Sequence, residues 1–399
     1  MIYNEVKHTK ERVEVSYSSS LNIQLYGKGN AYPQTMRKHI TASGTGGICM
    51  ERYAAFIEGN GFDDETFAEF VCNRLGETAD DILHLVGQDL AMYNGFAIHV
   101  GYNGLCQICS ISHIPFECCR LEEENEDGTV THIAFHPDWT GKKTRKGKVL
   151  KPEKSTIQWF YQFNPNKLVV ASQIEKAGGI ENYTGQILWV SLAGKNRYPV
   201  PIYDKIITNL STDEGLDNVK YRNVRNNFLP SGMLIRRNGS ALTIDDSGNK
   251  ASDDEIRRQL EDAQRDLATF MGDENTGSMM EVYLKDGESE PEWKPIESVN
   301  FDKKFDSTSA DVAQRIYSAF GQEPWYSLRI GKTGFSGGVL ADAYDYYNSY
   351  VAVQRRYISR AFKHIFSNWA FIVNPSQNYE IEPLVFIRQK WDNLNQPIN

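Results

Sequence analysis

The sequence predicts an α+β fold, because segments with helical periodicity lie on either side of a block of short apolar runs. Apolar residues recur three or four positions apart in 63–94, 252–270 and 339–367, which is the spacing of an amphipathic helix. Between 95 and 192, apolar runs are bounded by Gly, Asn and Asp, as strands are. The 399 residues are ample for a buried core and for about two or three domains.

The composition excludes several classes of protein. The chain has 43 basic and 52 acidic residues, a net charge of −9, which argues against a protein that coats nucleic acid by bulk electrostatics. No apolar run approaches the about 18 residues of a membrane-spanning helix, and the first residues lack the charged-then-apolar layout of a signal peptide. We therefore expect the chain to stay in the cytoplasm where it is made, with its six cysteines reduced.

The N-terminal half is predicted to contain an arm, two helices and a sheet. The first fifty residues are polar and rich in Gly, Ser and Thr, which predicts an N-terminal arm with at most short strands. Two helices are expected in 63–94, divided near Gly76. Strands are then predicted at 95–102, 105–111, 116–121, 130–135, 158–163 and 185–192.

The middle of the chain carries two further helix signals. A helix is expected to enter at Pro199 and Pro201 and to run towards Leu210. Ser252 and Glu255 form a capping box, which predicts a charged, narrow-faced helix up to about Phe270. The basic insert 141–154 is interpreted as a solvated loop.

The C-terminal third is predicted to be mostly helical. A short helix follows the serines at 307–309 and is stopped by Gly321. Residues 321–338 are predicted to lack regular structure, because of their glycines and Pro324. A long helix then runs from about Val339 to Ser367, and 379–387 is predicted to be rich in β structure.

No credible catalytic centre emerges from the motifs. GFSGG at 334–338 fits the nucleophile elbow G-x-S-x-G, but no buried strand precedes Ser336 and only His364 follows as a base. A phosphate loop ending in GKT would need glycine where the sequence has Tyr326. Cys118 and Cys119 are adjacent and would point to opposite faces of a strand, so a zinc site with Cys106 and Cys109 is not expected. The eight histidines show no metal-ligand spacing, and no metal site or cofactor is expected.

Several motifs of the C-terminal third occur in an order known from one family. They are FMGDENTGSMMEVYL at 270–284, WKPIES at 293–298 and FDSTSADVAQRIYSAFGQEP at 305–324, before the glycine-rich loop and the long helix. In this order they resemble the portal proteins of tailed bacteriophages, in particular the HK97-like and SPP1-like family. The family's isoleucine-alanine-phenylalanine-glycine-x-proline signature corresponds here to Ile316, Ala319, Phe320, Gly321 and Pro324.

Earlier segments agree with the resemblance, and two features depart from it. Residues 90–108 are similar to the family's helix and strand pair, and 226–235 to its proline-x-glycine strand. The family's usual second proline is replaced by Trp325, and the sequence after the long helix is short, so a large crown is not expected.

The resemblance implies a portal-type protomer in a dodecameric ring at one capsid vertex, with a channel for double-stranded DNA. The partners it implies are other copies of the chain, terminase, a head-tail adaptor and the major capsid protein. The implied location is the virion, after assembly in the host cytoplasm, and no enzymatic activity or membrane is implied. By position, the chain divides into an N-terminal arm (1–62), a wing (63–251), two stem helices (252–271 and 307–320), a clip (272–306), a tunnel loop (321–338) and a long helix with a short tail (339–399).

Functional residues follow from the same resemblance. The tunnel loop would touch DNA through Arg329, Lys332, Thr333 and Ser336, and the clip would bind partners through Met279, Met280 and Trp293. Two other functions stay open at this point. One is a different head-tail connector or adaptor ring without a DNA channel, and the other is a serine hydrolase that uses Ser336.

Overall fold

A computed structural model of the chain describes residues 15–125, 129–141, 152–194, 196–225, 232–235, 292–295, 301–332 and 337–386. The chain divides into two compact units. The first comprises Met1–Leu210 and Gln314–Asn399, and the second comprises Ser211–Ala313. Within the described ranges, no helix is long and apolar enough to span a bilayer. The predicted α+β class is confirmed, since helices accompany a mixed sheet.

The N-terminal segment contains a hairpin and two helices. Strands β1 (Val15–Ser18) and β2 (Ile23–Tyr26) pair in antiparallel orientation. Helices α1 (Tyr32–Ala42) and α2 (Gly44–Glu58) follow them. The predicted arm with at most short strands is therefore wrong over this region.

The glycines that suggested a loop instead serve helix packing. Ser43 caps α2, because its side-chain oxygen accepts a hydrogen bond of 2.9 Å from the backbone N–H of Gly46. A Cβ on Gly46 would lie 2.6 Å from the side chain of Leu210, so a larger residue would force a shift. A serine followed by glycines thus begins a closely packed helix here.

Two further helices follow α2 and precede the sheet, and they are divided near Gly76 as predicted. The first, α3 (Glu65–Ala68), is a single turn, and the second, α4 (Ala79–Tyr93), is capped by a capping box of Thr78 and Asp81. Gly76 adopts a positive φ of 85° in the turn between them. The predicted apolar stripe is wrong at its end, because the side chain of Leu75 is 83% exposed.

A six-stranded mixed sheet forms the centre of the first unit. Its strands are β3 (Gly95–Tyr102), β4 (Ile108–Ile114), β5 (Cys119–Leu121), β6 (His132–Phe135), β7 (Gln158–Gln162) and β8 (Gln186–Ser191). Their order in the sheet is β4-β3-β8-β7-β6-β5, and only β7 and β8 pair in parallel. Helix α5 (Lys167–Lys176) lies between those two strands in the chain, as a parallel connection requires.

Each predicted strand overlaps one observed strand. Cys118 ends a short helical turn, Phe116–Cys118, so the expectation that it alternates with Cys119 along one strand is wrong. Cys119 is buried on β5 while Cys109 on β4 is exposed. The outer edge of β4 is covered, because Ile111 N–H donates to the carbonyl of Cys72 at 3.1 Å and Ala370 N–H donates to that of Ile108 at 2.8 Å. The described residues hold no cluster of side chains that could bind a metal ion.

Within the described residues, two helices and a strand pair follow the sheet before the C-terminal helices. Helix α6 (Ile207–Arg225) extends well beyond Leu210, where the sequence had placed its end. Strands β9 (Gly232–Ile235) and β10 (Glu292–Pro295) pair in antiparallel orientation. Helix α7 (Phe301–Ala319) begins before the serines that were expected to open it. The predicted stem helix 252–271, the basic residues 142–150 and most of 272–306 lie outside the described residues.

The C-terminal part contains one predicted and one unpredicted helix. Residues Glu323–Arg329 form α8, so the expectation that 321–338 lacks regular structure is wrong for this stretch. Pro324 lies in the first turn of α8, where proline's missing N–H has no helical partner to lose.

The long helix α9 (Gly337–Phe366) confirms the prediction within a few residues. Tyr350 is 38% exposed although it was expected to face inward. The expected β-rich tail makes only an isolated bridge from Ile381 to Phe62 among the described residues. The side chains of the predicted inward face that are buried are Ala343, Tyr347, Val351, Ile358, Phe362, Ile365 and Phe366.

Candidate functional site

The segment between α7 and α8 is fixed by a buried glutamine. Gln322 is fully buried, and its Nε2 donates to the carbonyl of Cys49 and to the hydroxyl of Tyr347, both at 2.8 Å. Its Oε1 accepts a 2.8 Å bond from Nη1 of Arg52. The hydroxyl of Tyr347 in turn donates to the carbonyl of Phe320 at 3.0 Å. This amide therefore joins α2 and α9 to the chain at the exit of α7.

A glycine ends α7 at a point where a side chain would be strained. Gly321 has a φ of 67°, which L side chains rarely adopt. A Cβ there would also lie 2.7 Å from the ring of Tyr350. Ile316 and Phe320, which carry the family signature with this glycine, are both fully buried. The signature residues thus form a packed corner.

Helix α8 packs its N-terminal end through Trp325, the residue that replaces the family's second proline. Its ring centre lies 5.0 Å from that of Tyr347 and 5.6 Å from that of Phe56, and both pairs are edge to face. The guanidinium of Arg52 lies 5.3 Å from the Trp325 ring centre, within range of a cation–π contact. The departure from the family pattern therefore contributes to the core instead of loosening the loop.

The structure brings two of the predicted DNA-contact residues to one helix end. Arg329 lies in the last turn of α8 and is exposed, with its guanidinium 6.0 Å from the ring centre of Tyr317. The N–H of Lys332 donates to the carbonyl of Ser327 at 3.0 Å, and that of Gly331 donates to the carbonyl of Leu328 at 3.1 Å. This is the bond pattern of a Schellman cap.

The cap leaves two positive charges on a defined turn. Gly331 has a φ of 70°, as the cap requires, and the side chain of Lys332 is exposed. The two cations therefore belong to a folded helix end and not to an irregular loop. Thr333 and Ser336, the other two predicted contacts, lie outside the described residues.

Only one of the predicted clip residues falls within the described part of the chain. Trp293 lies on β10, opposite Leu234 on β9. Met279 and Met280 lie outside the described residues, so their predicted role stays a prediction.

Two arginines are buried, which the sequence did not predict. Arg120 is fully buried, and its guanidinium donates to the side chain and carbonyl of Asn30 at 2.6 and 2.8 Å. Arg355 on α9 donates to the carbonyl of Phe56 on α2 and to Oδ1 of Asn348. Burial lowers the pKa of both guanidinium groups, that of Arg355 to about 10. Arginines are mostly exposed, and no sequence pattern marks these two as buried.

Several large apolar side chains lie at a cavity of about 630 Å³ beside strand β4. We call them the apolar collar: Phe70, Val71, Leu75 and Phe371 line the cavity, and Ile372 follows Phe371 in the chain. The ring of Phe70 lies 6.2 Å from that of Phe371, and Ile372 is 82% exposed. Large apolar side chains gathered at a surface in this way usually mark an interface.

The hydrolase hypothesis gains no support from the described residues. His364, its only candidate base after Ser336, is exposed near the end of α9, with its ring edge to face 5.0 Å from Phe163. Ser336 itself lies outside the described residues.

No known protein family matches the sequence, and no curated protein matches it. The neck of a native gene transfer agent particle, computed with C12 symmetry, is 14% identical, with 91% of this chain and 89% of that one covered and a TM-score of 0.47. A chain of the virion of a native gene transfer agent particle is 13% identical over 92% and 91%, with a TM-score of 0.46.

A third similar structure is an HK97 family phage portal protein from Corynebacterium diphtheriae. It is 13% identical, 68% of this chain and 72% of that one are covered, and the TM-score is 0.31. Portal and neck structures are thus what the chain is similar to, as the sequence resemblance indicated. At such low TM-scores the likeness by itself assigns no role to this chain.

Proposed function

We propose that the chain is the protomer of a portal-type ring, a head-tail connector through which double-stranded DNA enters a particle and later leaves it. The observation that carries this proposal is the packed corner between α7 and α9. Its residues are those of the family signature: Phe320 is fully buried, and Gly321 has a backbone conformation and a close neighbour that disfavour any side chain. The motif that resembles portals is therefore a structural element in this chain.

Ring assembly is supported by the surface of the first unit. The apolar collar exposes several large side chains, among them Leu75 and Ile372, next to a cavity. A second copy of the chain that covered them would remove this apolar area from water, at about 25 cal/mol per Å². A closed, dodecameric ring would supply that contact to every protomer.

The channel role is supported by the charges. A net charge of −9 disfavours tight retention of phosphates, as suits a conduit through which DNA must slide. Arg329 and Lys332 provide two local positive charges on a rigid turn. We assign to this turn a weak, salt-sensitive contact with DNA.

The other assignments complete the proposal. The clip 272–306, with Met279, Met280 and Trp293, would dock terminase during filling and a head-tail adaptor afterwards. The wing 63–251 would face the major capsid protein in the virion, and assembly would take place in the host cytoplasm. No catalytic role is assigned.

Negative-stain microscopy of the purified full chain tests the proposal. Closed rings with a central hole wide enough for duplex DNA are expected. Rings without such a hole would indicate a connector or adaptor of another kind. A monodisperse monomer at assembly concentrations would contradict the proposal.

A further inference from the structure

The outward face of α9 carries a row of positive charges near its C-terminal end. Arg356, Arg360 and Lys363 are four and three positions apart, so they lie on one stripe of the helix. All three side chains are exposed. The row spans about 10 Å, from the 1.5 Å rise per residue of an α-helix. We call these three residues the basic stripe.

No acidic side chain neutralises the basic stripe along its own helix. Between Asp345 and Glu380 the sequence contains no Asp or Glu, although the chain has 52 acidic residues. Among the described residues, none of the three cations takes part in an ion pair. The stripe is therefore a local exception on a negatively charged protein.

Acidic groups on the elements near α9 have other partners. Asp63 accepts a 2.7 Å bond from Asn378, and Asp64 accepts one of 2.7 Å from Ser376. Glu58, on α2, pairs with His84 at 2.8 Å. Each of these carboxylates is thus bonded to a residue other than the three cations of the basic stripe.

Helix stability does not explain the row. Like charges at spacing i, i+4 destabilise a helix by about 0.2–0.5 kcal/mol per pair. The helix dipole favours a cation only within the last turn. That account covers Lys363, which lies in the last turn of α9, but not Arg356, which lies more than two turns before the end at Phe366.

We propose that the basic stripe binds the phosphate backbone of double-stranded DNA. Its cations form a straight row of one sign, which matches a polyanion that carries one charge per about 1.7 Å of its axis. An interface with a protein surface of mixed charge would favour interspersed carboxylates, and the helix has none in this part. The inference rests on the proposed function as a DNA conduit and adds a second contact to it.

The second contact is separate from the turn at Arg329 and Lys332. The turn follows α8, whereas the stripe lies on α9, and Arg356 is nine residues, about 14 Å of helix, beyond Tyr347, the point at which α9 contacts Trp325 of α8. Substitutions on α9 therefore leave the two cations of the turn in place.

Fluorescence anisotropy with a short labelled DNA duplex tests the inference on the full-length chain across a series of salt concentrations. The variant carries Arg356→Gln, Arg360→Gln and Lys363→Gln. A matched control carries Lys38→Gln, Lys167→Gln and Lys176→Gln, three exposed cations on other helices. Both variants lose the same net charge and are checked for folding by circular dichroism.

The stripe variant should bind more weakly at low salt than the control, and the slope of log K against log salt should become shallower by about 2.7, the value for three released phosphate contacts. Equal effects in the two variants would overturn the inference. Loss of rings in micrographs of the stripe variant, with unchanged DNA affinity, would also overturn it and make the stripe a contact between copies. If the wild-type chain forms no rings but the stripe effect remains, the proposed function fails and the DNA contact stands.

Discussion

The side-chain amide of Gln322 donates a 2.8 Å hydrogen bond to the hydroxyl of Tyr347, across the corner between α7 and α9. Because Gln322 also bonds to Cys49 and Arg52, its amide uses both its donor and its acceptor group. A buried amide with such partners holds one geometry. The position at which α8 and the charged turn leave the core is thereby fixed.

Gln322→Ala should lower the free energy of unfolding by about 1–3 kcal/mol, because it leaves the buried Tyr347 hydroxyl and Cys49 carbonyl short of a partner. Gln88→Ala, at an exposed position of α4, is the matched control and should change stability by less than about 0.5 kcal/mol. Urea denaturation followed by circular dichroism measures both. Equal stability of the two variants would show that the hydrogen bonds of Gln322 do not stabilise the fold.

Gly321→Ala should destabilise the chain by at least about 1–2 kcal/mol, since a Cβ at positive φ is strained and would meet the ring of Tyr350. Gly215→Ala serves as the contrasting case. That glycine lies inside α6 with open space around it, and the same change should stabilise the helix by about 0.5–1 kcal/mol. Thermal melts of the two variants should move in opposite directions. A Gly321→Ala variant that melts with the wild type would contradict the packed corner.

Cys72 should make stability depend on alkaline pH. Burial raises the pKa of its thiol from 9.0 to about 12, so between these values the unfolded chain loses the proton while the folded chain keeps it. Its contribution is complete below pH 9 and is lost as the pH rises towards about 12. The fall in unfolding free energy between pH 8 and pH 10 should be smaller in Cys72→Ala, by on the order of 1 kcal/mol. Ile82→Val, a buried substitution that removes no titratable group, is the control and should keep the wild-type fall. The same fall in all three proteins would refute the role of Cys72.

Arg329→Glu combined with Lys332→Glu should preserve rings but impair the packaging or retention of DNA. The effect should be larger at low salt, where the introduced repulsion is least screened. The DNA content of assembled particles across a series of ionic strengths measures it. Wild-type content at every salt concentration would show that this turn does not meet DNA.

The long helix and the strands could be predicted because their signals are local. In α9, the alternation of buried residues such as Val351, Ile358 and Phe362 follows helical spacing directly. In β3 and β8, apolar runs end at turn residues.

The helices α2 and α8 could not be predicted in the same way. The glycines of α2 indicate a loop by propensity, yet Gly46 is required for close contact with Leu210, which is distant in sequence. The glycines near α8 fall outside it, at Gly321 and Gly331, where they end helices instead of preventing one.

The candidate site was predicted only in part. Arg329 and Lys332 were named from the resemblance, and the structure places them on one helix end. Gln322, the residue that positions this helix end, could not be identified from the sequence, because its role depends on hydrogen bonds to residues on α2 and α9. The basic stripe was not predicted, because the exposure of its three side chains depends on how the helix packs.

The mass of the assembled protein tests the central claim most directly. Mass photometry of the purified full chain is predicted to show one closed species of dodecameric mass, built from the 45.4 kDa chain, and class averages of that species should show a central hole. A single species at the mass of one chain, at the same concentration and at every salt concentration tried, would contradict the account.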